Sequence, residues 1–277
     1  MPHLVSIAVP DSLFTDEASL RGRTIKAGEI VRAASIFGVE RIYIYRDTSS
    51  NFDRDYETAR QIFEYAETPQ YLRRMLIGKK SDLEFAGLLP PLKIPHHMRE
   101  SRAQVGEVRE AALIMQNGEL RAEVGAKEAA IYEGHGQSGQ RVTVKIESTS
   151  PLKASQTPRP EDTYWGYEVR RAPSLARFLR SANFDSVILT SRLGESVVEK
   201  WHDLVSRSSI ARRTLVCFGS PESGVDKMLK QDHASMSDFP KVMYLNTFPF
   251  QKVATVRLEE AILGTLAILN LATKMII

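Results

Sequence analysis

Two features are scarce in this sequence: cysteine and long hydrophobic runs. Cys217 is the single cysteine of 277 residues, so one chain can form neither an internal disulfide nor a cysteine-based metal site. No apolar stretch reaches the roughly 20 residues that span a bilayer. The apolar start of the chain, residues 1–10, lacks the basic region of a signal peptide. These absences predict a soluble protein of a reducing compartment, the cytoplasm.

An excess of one charge is also nearly missing. The 37 basic and 34 acidic residues leave a formal net charge of +3, which only weakly favours an anionic partner. Local clusters are more informative. Arg170, Arg171, Arg177 and Arg180 recur at near-helical spacing, so much of this set is expected to share one face. A solvated surface is the simpler interpretation of the same spacing.

The order of hydrophobic patterns predicts an α/β fold with a mainly parallel sheet. In the first part of the chain, strands are expected at 4–9 and 41–45 and helices at 16–37, 55–66 and 71–77. The pattern resumes after residue 160, with strands at 187–190, 214–218 and 242–245 and helices at 195–205 and 255–271. The last helix is apolar on most of its surface, so it must be buried in the core or against another subunit.

Between these two stretches the pattern is purely β. Short runs at 110–116, 120–124, 129–132 and 141–147 are separated by turn signals such as Asn117-Gly118. We therefore predict a small OB-like β-barrel, residues 91–162, inserted into a discontinuous α/β domain, residues 1–90 and 163–277.

Two familiar site patterns can be set aside. Gly134, Gly136 and Gly139 satisfy G-x-G-x-x-G, but they run into a strand rather than a helix, so a turn is the better interpretation than a dinucleotide site. The neighbouring His96 and His97 lack the spacing of a helical metal pair. We expect them to be solvated or to face RNA, and we expect no metal.

Three strand-to-loop junctions favour one shared ligand site. Residues 190–192, 218–224 and 245–249 each follow a β-rich run, and ligands in α/β sheets bind at the carboxyl ends of strands. The second junction contains Gly219 and Gly224, where the missing side chains let a ligand approach the backbone.

The sequence then resembles a known family. Residues 245–263, LNTFPFQKVATVRLEEAIL, resemble the C-terminal loop and helix of SPOUT methyltransferases. Four further motifs resemble a branch of that superfamily that is shared by archaea and eukaryotes, carries an inserted β domain and includes a human centromere-associated protein. These motifs are PQYLRR at 69–74, FAGLL at 85–89, PHHMR at 95–99 and YWGYEVR at 164–170.

The resemblance implies a parallel sheet with a C-terminal trefoil knot, a homodimer, and S-adenosyl-L-methionine bound by the knotted loops. In this resemblance Arg192 matches a residue of the family's first cofactor loop, and Gly219 matches the glycine of the second cofactor loop. Asn246 and Thr247 match the start of the third cofactor loop. Gln251 and Thr255 fall in the segment that closes over the donor.

The resemblance also gives Arg32, on the first helix, a catalytic role near the acceptor. A surface arginine that pairs with Glu29 or Glu40 is the alternative interpretation. Methyl transfer needs no metal, because the sulfonium is already electrophilic and the protein mainly aligns the reactants.

The expected function is S-adenosylmethionine-dependent methylation of RNA, in particular ribosomal RNA, at uridine N3 or at a ribose hydroxyl. Two alternatives stay open: a non-catalytic RNA-binding scaffold that retains the fold, and an α/β enzyme that uses another nucleotide.

The inserted barrel is expected to read RNA, the alternative being that it stabilises a dimer or docks another protein. Its candidate cations are Lys93, Arg99, Arg102, Arg109, Arg121, Lys127, Arg141, Lys145 and Lys153.

Overall fold

A computed structural model describes residues 3–97 and 102–274 of the chain. Its helices and strands, in chain order, are β1 (Leu4–Pro10), α1 (Leu20–Ile36), β2 (Val39–Arg46), α2 (Asp53–Glu67), α3 (Gln70–Leu76), β3 (Val108–Gln116), β4 (Glu119–Glu123), β5 (Ala130–Glu133), β6 (Arg141–Thr149), β7 (Leu152–Gln156), β8 (Glu168–Ser174), α4 (Leu175–Ser181), β9 (Ser186–Ser196), α5 (Trp201–Ile210), β10 (Arg213–Cys217), α6 (Val225–Gln231), β11 (Met243–Asn246) and α7 (Leu258–Lys274). Within these described residues, no helix combines the length and the apolar character needed to cross a membrane.

The chain forms two compact units. The first contains Met1–Glu64, Phe85–Pro90 and Tyr167–Ile277, and the second contains Tyr65–Glu84 and Pro91–Gly166. The segment 65–84 thus groups with the barrel. The domain boundaries expected from the sequence, 91–162 for the insertion, stay a prediction.

The first unit is built on a six-stranded sheet in the order β11-β9-β10-β1-β2-β8, and every pair of neighbours is parallel. Residues 6–10 of the central strand β1 are buried on both faces, as expected for a parallel sheet covered by helices. The predicted α/β fold with a parallel sheet is therefore confirmed. Because all six strands run the same way, their carboxyl ends lie along one edge.

The second unit contains a closed five-stranded barrel in the order β3-β4-β5-β7-β6. Its interior is filled by small and branched side chains, among them Ala111, Leu113, Val144 and Ile146. Along β6 the buried residues alternate with more exposed ones, as the pleat of a strand requires. The predicted inserted β-barrel is confirmed. Its G-x-G-x-x-G segment, residues 134–139, connects β5 to β6 as a loop.

Some sequence predictions were wrong in their bounds. The helix expected at 195–205 begins only at Trp201, because β9 continues to Ser196. The last helix begins at Leu258 rather than Thr255. Arg170 and Arg171 lie in strand β8, whereas Arg177 and Arg180 lie in helix α4, so the four arginines do not share one helical face.

Candidate functional site at the carboxyl ends of the strands

The three predicted loops leave neighbouring strands, because β9 lies between β11 and β10 in the sheet. Tyr244 of β11 pairs with Leu189 of β9, but the next residue, Leu245, pairs with Glu195. Residues 190–194 therefore leave the hydrogen-bonded ladder, and we call them loop one. Thr190 fixes the start of loop one through a 3.0 Å hydrogen bond from its Oγ1 to the carbonyl oxygen of Cys217.

Loop one is joined to the third predicted loop, residues 247–257, which we call loop three. The Asn246 side chain donates from Nδ2 to the carbonyl oxygen of Arg192 over 3.1 Å. Its Oδ1 accepts a 2.9 Å hydrogen bond from the Phe248 amide. A Cβ atom on Gly194 would lie 2.6 Å from the carbonyl carbon of Leu245, so this close main-chain approach requires glycine.

Arg192 also holds the far part of loop three. Its Nη1 donates to the carbonyl oxygen of Ala254 over 2.9 Å. Gln251 turns the same segment inward, since its Nε2 donates to the carbonyl oxygen of Val253 at 2.9 Å. Thr255 follows directly and is exposed. The structure thus brings Arg192, Asn246 and Gln251 into one connected group.

The side chain of Thr247 is buried at the end of β11. It is 9% exposed, and its Oγ1 lies 2.8 Å from Oγ1 of Thr265 on α7. The hydroxyl therefore fastens the end of β11 to the last helix. The role of Thr247 in binding the donor stays a prediction.

Residues 219–224, which we call loop two, form a tight turn. The Ser220 amide donates to the carbonyl oxygen of Ser223 over 2.8 Å, and the Ser223 amide donates back to Ser220 Oγ over 3.0 Å. A Cβ atom on Gly224 would lie 4.0 Å from Ser191 Oγ. Loops one and two are therefore in van der Waals reach of each other.

Two polar side chains at this edge were missed by the sequence analysis. Tyr244 donates its hydroxyl to Asp226 Oδ1 at 3.5 Å and is also hydrogen-bonded to Ser191. Burial raises the pKa of Tyr244 above its ordinary value, against the opposing effect of Ser191, so the phenol stays protonated as a donor. The spacing from Gly224 to Asp226 was the available signal, and it is too common to stand out.

Buried carboxylates occupy the ends of β1 and β2, on the same edge. Ser12 Oγ donates to Asp47 Oδ2 at 2.6 Å, and the Asp47 amide donates to Asp11 Oδ1 at 2.8 Å. Burial raises the pKa of Asp11 to about 6, although the bond from the Asp47 amide opposes this. The Phe218 amide donates to the carbonyl oxygen of Ala8 over 2.9 Å, so the end of β1 adjoins loop two.

Arg32 is half-buried in the second half of α1, a helix that packs against α7. Burial raises the pKa of Glu29, one of its two predicted partners, and the charge of Arg257 opposes that rise. The role of Arg32 near an acceptor stays a prediction.

The histidine pair was interpreted wrongly. His96 is fully buried, and its Nε2 lies 3.1 Å from Glu67 Oε1, while His97 Nε2 donates to the carbonyl oxygen of Glu67 at 2.6 Å. Arg141 bridges Glu67 and Glu110 at 2.6 and 2.5 Å. The pair belongs to a buried polar network rather than to a solvated surface, and among residues 3–97 and 102–274 no cluster suited to a metal ion occurs.

Two of the arginines predicted to contact RNA form hydrogen bonds and ion pairs within the second unit instead. Arg109 is fully buried and donates to the carbonyl oxygens of Val124 and Arg102, and Arg141 belongs to the network just described. Arg99 lies outside the described residues. Of the remaining predicted cations, Lys93, Arg102, Lys127 and Lys145 are exposed, and Arg121 and Lys153 are partly exposed.

Comparison with known proteins identifies the family of the chain. A model of the family described as "Putative RNA methyltransferase" matches residues 4–269. A Drosophila melanogaster protein named 28S rRNA (uridine-N(3))-methyltransferase is 32% identical over 97% of this chain, which spans 62% of that relative's length. The human protein of the same name is 32% identical over 97% of this chain, and the match covers 78% of the human protein. A Halobacterium salinarum protein without an assigned function is 29% identical over 96% of this chain, and the match covers 98% of that protein. The chain belongs to this family of RNA methyltransferases.

Proposed function

We propose that this chain transfers a methyl group from S-adenosylmethionine to N3 of a uridine in ribosomal RNA. The observation that carries the proposal is the joining of loops one, two and three at the carboxyl edge of the sheet, in a chain whose relatives are named for this reaction. A ribose hydroxyl is the acceptor that the proposal excludes.

The residues at this edge suit such a donor. Loop one leaves the ladder and exposes its main chain to a ligand. The hydroxyl groups of Ser191 and Tyr244 and the main chain of loop two lie beside it and can form hydrogen bonds to the donor. S-adenosylmethionine supplies a methyl group on an electrophilic sulfonium, so the protein has to hold and align the reactants and to remove one proton. Arg192, Gln251 and Thr255 would close loop three over the bound molecule.

The proton to be removed is the one on uridine N3. Asp11 lies at the edge that carries the loops, and its pKa of about 6 leaves it largely ionised at neutral pH. We expect its carboxylate to accept the proton, as a general base poised near the working pH would. Arg32 would stabilise the negative charge that develops on the base.

The proposal extends to assembly and topology. We expect the SPOUT fold, with its C-terminal trefoil knot, and a homodimer that covers the apolar residues of the loops. Leu193, Phe250 and Val253 are 70%, 74% and 59% exposed, although they flank the proposed site. On α7, one face is buried while Leu263 and Leu271 stay 45% and 59% exposed. A second copy of the chain would remove these side chains from water.

We also propose that the barrel unit contributes to RNA binding through its exposed cations. The variant Arg102→Ala/Lys127→Ala/Lys145→Ala should weaken RNA binding at least about tenfold and flatten its salt dependence, because each lost phosphate contact lowers the slope by about one. The matched control is Arg212→Ala/Lys230→Ala/Lys241→Ala, which removes three exposed cations of the first unit and should leave the slope unchanged. Equal affinities for the triple variant and wild type across the salt range would assign RNA binding to other parts of the chain.

The decisive experiment is mass mapping of ribosomal RNA from cells with and without the gene. We expect one uridine to lose a base methyl group on deletion and to regain it when the wild-type gene is returned. Purified protein should transfer labelled methyl from S-adenosylmethionine to the same uridine in unmodified RNA. An unchanged map, or loss of a ribose methyl group, would contradict the proposal.

A further inference from the structure

Asp226 occupies the point where the proposed donor loops meet. It is the second residue of α6, which begins directly after loop two. A Cβ atom on Gly224 would lie only 2.8 Å from Asp226 Oδ1. The carboxylate is therefore folded back over loop two, into space that the missing side chain of Gly224 leaves open.

Tyr244 fixes the carboxylate from the other side. The tyrosine lies on β11 and bonds both Asp226 Oδ1, at 3.5 Å, and Ser191 of loop one. Loop one, loop two and the end of β11 thus each contribute one group around Asp226.

Asp226 has no cationic partner among residues 3–97 and 102–274. None of the ion pairs formed within the described part of the chain includes this carboxylate. The cation of loop one, Arg192, points its guanidinium at the carbonyl oxygen of Ala254 instead. A half-buried carboxylate without a cationic partner attracts a positive ligand group.

S-adenosylmethionine carries two positive groups, a sulfonium and an ammonium. A carboxylate accepts hydrogen bonds, and of these two groups only the ammonium donates them. We infer that Asp226 binds the ammonium group of the donor's methionine portion, in the orientation set by Tyr244 and Gly224. The inference rests on the proposed function, since it assigns one more contact in the same site.

The test is calorimetry on wild type and Asp226→Asn with three ligands. S-adenosylmethionine and S-adenosylhomocysteine both carry the ammonium. 5′-Methylthioadenosine keeps the adenine and the ribose but lacks the amino acid. We expect the variant to bind the first two at least about tenfold more weakly, equivalent to about 1.4 kcal/mol, and to bind the third as wild type does. The matched control, Asp203→Asn, removes an exposed carboxylate of α5 and should change none of the three affinities.

The other outcomes are informative in different ways. Unchanged binding of S-adenosylmethionine by the variant overturns the inference. Equal weakening of all three ligands also overturns it, because the contact would then be to the ribose or the loop itself would have moved. Weakening for S-adenosylmethionine alone would assign the carboxylate to the sulfonium instead. If wild type binds none of these ligands, the proposed function fails rather than the role of Asp226.

Discussion

A Cβ atom on Gly219 would lie 2.5 Å from the carbonyl oxygen of Ser223. The glycine at this position is thus required by the turn of loop two itself. The expectation that glycine here leaves space for a ligand is incomplete, because the first atom that a side chain would meet belongs to the protein. Any substitution at Gly219 must displace loop two.

Gly219→Ala should therefore weaken S-adenosylmethionine binding by more than about tenfold and lower the melting temperature by a few degrees, because the backbone of Ser223 and Gly224 has to shift. Gly87→Ala is the matched control, since no atom lies within 4 Å of a Cβ at that position. Calorimetry and thermal unfolding measure the two effects. Wild-type donor affinity in Gly219→Ala would remove loop two from the proposed site.

Phe250→Asp should convert the proposed homodimer into monomer. The side chain is 74% exposed in one chain, and a buried unpaired carboxylate at a subunit interface would be costly. Light scattering at micromolar concentration should report a dimer for wild type and a monomer for the variant. Ile210→Asp, at an equally apolar and exposed position at the end of α5, should stay dimeric. A monomeric wild type would contradict the assembly directly.

Asp11→Asn should slow methyl transfer at least about tenfold while S-adenosylmethionine still binds. In wild type, the single-turnover rate should rise as pH increases through about 6, the pKa of Asp11, and the variant should lose this rise. A raised carboxylate pKa adds stability only at acid pH and loses it as pH rises through 6, so the variant should be no less stable than wild type at pH 7.5. A rate profile that keeps its rise near pH 6 in the variant would assign the proton to another group.

The barrel unit should lose stability in acid because of His97. Burial lowers the pKa of His97 from 6.5 to about 4, so between these values the unfolded state takes up a proton that the folded state refuses. The free energy of unfolding should fall by about 3 kcal/mol as pH drops through this window. Glu67, whose pKa is lowered by His96 and Arg141 despite its burial, acts in the same direction at lower pH.

Urea unfolding followed by tryptophan fluorescence measures this loss of stability. In a Trp201→Phe background Trp165 is the single tryptophan, and it donates to Glu110 inside the network, so the fluorescence reports on the second unit. His97→Gln keeps a donor for the carbonyl oxygen of Glu67 but does not titrate, so the loss of stability between pH 6.5 and 4 should shrink. His135→Gln, at an exposed loop position, is the control and should behave as wild type. An equal acid slope in all three proteins would argue against His97.

Much of the sheet could be predicted because hydrophobic residues mark its strands. The run from Leu4 is buried almost throughout, and residues of β6 alternate between buried and more exposed positions as expected. The end of β9 was missed because residues 190–194 leave the ladder, and Glu195 and Ser196 resume it as polar residues at an exposed end. The β7 strand, short and enclosed by proline-rich sequence, also carries too little pattern to be recognised.

The candidate site at the strand ends was only partly predictable, because its contacts join loops that are distant in sequence. Family motifs gave Arg192, Asn246 and Gln251, which the structure joins, but Asp226 and Tyr244 depend on how loops distant in sequence meet. The residue types of His96, Arg109 and Arg141 predict side chains exposed to solvent or RNA, but the structure buries or half-buries all three. His96 and Arg141 pair with Glu67 and Glu110, 29 and 31 residues away in sequence, and spacing gives no measure of such pairing. Arg109 pairs with the nearby Glu107, but its burial depends on the fold around it.

The closed barrel restricts how a partner can bind the second unit. β5 pairs with β7 in parallel, and this contact completes the ring, so none of the described strands of the barrel is an edge strand. A peptide or a second chain therefore cannot bind by adding a strand. Recognition by this unit has to come from side chains and connecting loops, which can change in sequence without altering the hydrogen-bonded ring.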